Sequence, residues 1–149
     1  MTARDSLPSA DPHRRPEGVT DESVEAVGKL SEALETVERA RGHLYAFHQL
    51  LGHADLQLDE AVEAFITAGH DDVAERLSSE VIGRNVIEGR WTFQLIEEFD
   101  DGYYAALRAA EDDARTRCTA GIRHLFEAEM KERRRTHGRP GHESRPPPA

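Results

Sequence analysis

The chain has 149 residues, 38% hydrophobic and 6% aromatic, and its 29 Asp plus Glu against 19 Lys plus Arg give a formal net charge of -10. One domain with a modest core fits that length, and the lone Cys118 excludes both an internal disulfide framework and a zinc site built from several thiolates. The first twenty residues hold no apolar run of the kind a secretory signal needs and no later stretch approaches the roughly 18 residues of a membrane span, so a cytoplasmic protein in a reducing compartment, away from the membrane, is expected.

Residues 1–20 contain Pro8, Pro12 and Pro16 and few apolar side chains, so a disordered leader is expected there. From that point the apolar residues recur at helical spacing, and no β-branched alternation of useful length occurs; the prediction is all-α. The first helix opens at Thr20 or Asp21, where Thr20 with Ser23 or Glu22 offers capping. Its stripe, Val24, Val27, Leu30, Leu34, Val37, Leu44, Phe47 and Leu51, is coiled-coil-like, and over residues 21–52 the helix is about 45 Å long at about 1.5 Å per residue. A helix of that length needs a partner of similar length.

A second helix is expected at about 55–68, burying Leu58, Val62, Phe65 and Ile66 and closed by Gly69. The third starts at Asp71 or Asp72, carries Val73, Leu77 and Val81, and stops at Gly83, completing a short αα-hairpin with the second. A linker at 83–90 leads to a fourth helix from near Trp91 to about Arg117, with Phe93, Ile96, Phe99, Tyr103, Leu107 and Ala110 on one face and an interruption at Gly102. Gly121 separates it from a fifth helix with the stripe Ile122, Leu125, Phe126 and Met130. The expectation is an elongated bundle of about five helices in a single domain at 21–136, followed by a disordered, basic and Pro-rich tail at 137–149.

Charge is spread unevenly. Residues 1–20 are balanced, residues 21–130 hold ten basic and 24 acidic side chains for a net of -14, and residues 131–149 hold six basic and two acidic for a net of +4. An acidic body repels phosphate backbones, so any nucleic-acid binding is expected in the tail at 133–149 alone. There the run Arg133 to Gly141 is similar to an AT-hook, with His137 in place of the first core Arg, although a solubilising tail explains it as well. Arg outnumbers Lys 17 to 2, a bias that GC-rich codon usage produces without selection for recognition.

Ionisable residues on apolar stripes need a reason, because a buried charge costs several kcal/mol unless it is paired. His48 lies four after Leu44 and three before Leu51, Asp100 lies four after Ile96 and three before Tyr103, and Glu129 lies four after Leu125. If the three stripes faced one another, these side chains would form a metal, proton-transfer or ligand site, with Tyr45 and Tyr103 nearby. The competing reading is a network of hydrogen bonds and ion pairs that sets helix register, with Arg41 or Arg123 as partners. His124 and Glu127, at i and i+3, are a further two-ligand arrangement for a divalent metal. No Glu stands three before any of the eight histidines, so the Glu-x-x-His of di-iron bundles is missing, as are the common hydrolase, nucleotide-binding and EF-hand motifs. An enzyme is therefore not the expectation. The run Glu97-Glu98-Phe99-Asp100-Asp101 reads as a solvated helix face, and Cys118 as a packed thiol.

The runs Gly42 to Gln49, Gly89 to Gln94 with Glu97 to Asp101, and Glu127 to Glu132 resemble a family of uncharacterised small helical proteins from GC-rich bacteria, over about residues 30–143. That resemblance implies an all-helical fold and no catalytic residue. The function expected is that of a non-enzymatic helical scaffold that self-associates or binds a protein partner. The alternative is a metal- or small-ligand-binding bundle with a buried His and carboxylate site.

Overall fold

The computed structural model describes residues 11–147, in which helices are the only regular elements apart from one isolated β-bridge, and the all-α class is observed. The helices are α1 (Asp21–Thr67), α2 (Asp71–Glu80), α3 (Thr92–Phe99), α4 (Ala105–Thr119) and α5 (Leu125–Arg134). A π-helical segment at Asp100–Tyr104 joins α3 to α4, so residues 92–119 form one continuous rod. The described residues thus hold four rods where about five were expected. The two helices expected at 21–52 and 55–68 are a single helix of 47 residues. The physical reason is that Gly52 costs only about 1 kcal/mol in a helix interior while the helical spacing of Leu44, Leu51, Leu58 and Phe65 continues past it.

Several boundaries follow local chemistry. The Ser23 N–H donates to Thr20 Oγ1 at 3.2 Å, capping the start of α1. Gly69, at φ +81, closes its far end, where the His70 N–H donates to the Phe65 carbonyl at 2.8 Å. At the entry to α3 the Trp91 N–H donates to Gln94 Oε1 at 2.7 Å, half of a capping box. Gly102 does not break the rod; it sits within the π segment, which absorbs one extra residue per turn.

The chain divides into two compact units, residues 1–34 with 107–149, and residues 35–106. In the first, Val24, Val27 and Leu125 are buried, and Phe126 packs against α1 at Gly28. Buried Glu111 accepts from Ser31 Oγ at 3.1 Å and lies 3.2 Å from Arg115, so its charge is paired. In the second, Ala74, Thr92, Ile96 and Tyr104 are buried, while Leu44, Leu51, Leu58 and Phe65 are only half covered.

The leader expected at 1–20 falls partly outside the described residues. Within 11–20, Arg15 is tied to the body by ion pairs with Glu129 and Asp21. Beyond α5 the tail makes turns, with the Thr136 N–H donating to His142 Nδ1 at 3.1 Å. Cys118, expected to be packed, is exposed, because Thr119 takes the buried position at the end of α4.

Gly52 lies in mid-helix with open space where a Cβ would stand. Gly52→Ala is expected to stabilise the protein by about 0.5–1 kcal/mol, through a smaller loss of backbone entropy on folding, seen as a higher urea midpoint.

Candidate functional site

Each ionisable residue singled out on a stripe has its own partner. His48, on α1, places Nδ1 2.7 Å from Thr92 Oγ1, the hydroxyl of the first residue of α3. This bond ties α1 to the start of the 92–119 rod.

Asp100, at the start of the π segment, receives Arg41 Nε at 2.8 Å and Nη2 at 3.0 Å, a bidentate fork from α1. Arg41 was one of the two partners expected for the stripe carboxylates. Its guanidinium carbon lies 4.9 Å from the Tyr45 ring centroid and 4.8 Å from that of Tyr104. Tyr104 Oη donates in turn to Glu38, and Phe99 stacks on the Tyr104 ring with centroids 6.0 Å apart. The hydrogen bonds from Arg41 hold the Asp100 carboxyl below its ordinary range and raise the guanidinium above its own. Tyr104 stands four after Asp100, yet the expected stripe runs through Tyr103, which is 62% exposed; in the π segment Tyr104 takes the buried place instead, while Arg41 and Tyr45, at i and i+4, are a pair that spacing alone reveals.

Glu129, on α5, accepts from Arg15 Nε at 2.7 Å and Nη2 at 2.8 Å, and Arg15 also reaches Asp21 at 2.6 Å. The Arg15 hydrogen bonds lower the Glu129 pKa. Residue spacing could not have shown this pair, since 114 positions separate its members.

His124 and Glu127 are both exposed, 3.9 Å apart, with His124 in left-handed backbone at φ 57 immediately before α5. They border an open cavity of about 250 Å³ that His13, Lys131 and Pro146 also line. Ligand pockets commonly span about 300–1,000 Å³, so this open cavity falls below that range. His48 and Asp100 belong to one compact unit, and Glu129, His124 and Glu127 to the other. At the end of α5, Glu132 receives Arg135 at 2.6 Å and His137 at 2.7 Å, and its pKa falls to about 2, chiefly through the Arg135 hydrogen bonds.

The depressed carboxyl groups set an acid limit. Asp100 and Glu129 titrate lower folded than unfolded, so their contribution is complete above the usual carboxylate pKa near 4 and is lost as pH falls through the lowered values. Thermal midpoints measured from pH 7 down to pH 2 are expected to hold above about pH 5 and decline below about pH 4. Asp100→Asn should flatten part of that decline.

A second set of side chains has no such partners among the described contacts. In the unit at 35–106, Phe47 is 43% exposed and Leu50 67%. Val86, Ile87, Trp91 and Phe93 are exposed around the turn that the Ile87 to Arg90 bridge closes. No family model matches the chain, and neither a curated protein nor a solved structure matches it.

Proposed function

We propose that the chain is a non-enzymatic helical interaction protein, engaging another protein chain through the apolar side chains that the unit at 35–106 leaves exposed. The observation that carries this reading is Leu50, a large apolar residue two-thirds exposed in the middle of a 47-residue helix, beside the half-exposed Phe47. Scattered apolar residues are ordinary on a surface, but neighbours one turn apart on a long helix are what helix-in-groove recognition uses.

The ionisable residues fit the same reading. Arg41 with Asp100, and His48 with Thr92, join α1 to the 92–119 rod at defined positions, as register-setting contacts do. A metal- or small-ligand-binding bundle is the competing reading of His48, Asp100 and Glu129, with His124 and Glu127 in reserve. It would require Arg41 and Arg15 to release their carboxylates.

Native mass spectrometry of untagged protein purified without chelator, with elemental analysis, tests the choice. A stoichiometric protein complex, homomeric or heteromeric, that Leu50→Gln dissociates is the expected result. A monomer holding stoichiometric metal that is lost in His48→Ala or Glu129→Ala would overturn it.

A further inference from the structure

The two compact units divide the charge completely. Residues 35–106 hold fifteen acidic and five basic side chains, a net of -10, and so carry the whole formal charge of the chain. Between Arg41 and Arg76 no lysine or arginine occurs, while seven carboxylates do, at Asp55, Asp59, Glu60, Glu63, Asp71, Asp72 and Glu75.

One face of α1 within that stretch has no charge at all. Phe47, Leu50, Ala54, Gln57, Ala61 and Ala64 follow one another at steps of three, four, three, four and three, the spacing that keeps a seam facing a second helix. Phe47 and Leu50 stand out as large exposed side chains at one end, and the alanines beyond them leave room for a second helix to approach closely. Residues 47–64 span about 27 Å at about 1.5 Å per residue, which a partner helix of about 18 residues would cover.

Charge decides what that partner is. Two copies of a unit carrying a net of -10 repel each other, whereas a helix rich in lysine and arginine would be drawn to that unit and would meet Glu60, the carboxylate that borders the uncharged face. We propose, resting on the interaction reading above, that the 47–64 face of α1 binds a basic amphipathic helix of a different protein, its apolar side against Phe47 and Leu50 and its cations toward Glu60 and the acidic surface of the unit.

The full-length protein and three fluorescein-labelled 18-residue peptides test this. One peptide carries Leu on one helical face and Lys on the other, the second has Glu for Lys, and the third is the first with its sequence scrambled to abolish the face. Fluorescence anisotropy is expected to show binding of the Leu/Lys helix at least tenfold tighter than the scrambled or Leu/Glu peptides, falling at least tenfold between 50 and 300 mM salt. Leu50→Gln, at an exposed position that leaves the fold intact by circular dichroism, should weaken it at least tenfold without altering net charge. Equal binding of the ordered and scrambled Leu/Lys peptides, or no effect of Leu50→Gln, would reduce the attraction to unspecific charge and overturn the proposal. Sedimentation velocity of the protein alone separates the two readings. A dimer that Leu50→Gln dissociates would make a second copy the occupant, overturning the basic partner and keeping the interaction function; a monomer that binds none of the peptides would count against both.

Discussion

Tyr104→Ala is expected to destabilise the unit at 35–106 by about 3–5 kcal/mol, the range for removing a buried aromatic side chain. Tyr104 is 8% exposed in a unit where few large side chains are buried, and its ring does three things at once. It stacks on Phe99, covers one face of the Arg41 guanidinium, and directs its hydroxyl to Glu38. Truncation would leave a cavity and expose the Arg41 and Asp100 pair to water, weakening that pair as well. Tyr104→Phe keeps the ring and loses only the hydrogen bond, so a loss of about 1 kcal/mol is expected. Urea unfolding followed by circular dichroism distinguishes the two. Similar midpoints for Phe and Ala would show that the hydroxyl, not the ring, holds the cluster.

In the other unit, Leu125→Ala is expected to cost about 2–5 kcal/mol. Leu125 is 4% exposed and is the first residue of α5, whose polar anchor is the Arg15 fork on Glu129. Glu129→Gln retains the packing and should cost much less than Leu125→Ala, because Glu129 is partly solvated and an ion pair in such a place adds little. Hydrogen exchange read at α5 amides would show protection lost across the helix in Leu125→Ala. Protection retained there would mean that the 1–34 and 107–149 unit does not depend on this side chain.

How much was legible in the sequence differs by feature. Helical spacing announced the all-α class, and Thr20, Gly69, Gly83 and Gly121 marked turns or ends that the structure places close to the expected residues. The start of α3 beside Trp91 was legible for the same reason. The stripe positions of His48, Asp100 and Glu129 identified side chains that needed partners, and Arg41 was foreseen as one of them. The break expected near Gly52 was wrong because a glycine is a weak preference, outweighed by an apolar pattern that continues on both sides. Cys118 was assigned to a packed face by its spacing to Ile122 and Leu125, but α4 ends at Thr119 and left-handed backbone at Ala120, Gly121 and His124 separates it from α5, so one helical register does not span them.

By itself the sequence determined what acts within about four residues: helix, cap, turn, and the separation of charge that leaves residues 35–106 at a net of -10. Only the tertiary structure decided which distant side chains meet. Arg15 on Glu129 and His48 on Thr92 are 114 and 44 positions apart. Periodicity states that a side chain faces inward but carries no information about which residue faces it, because that depends on how rods of particular length and rotation pack. The exposure of Phe47 and Leu50 was settled in the same way, since an apolar residue on a helix is covered only where another element passes over it.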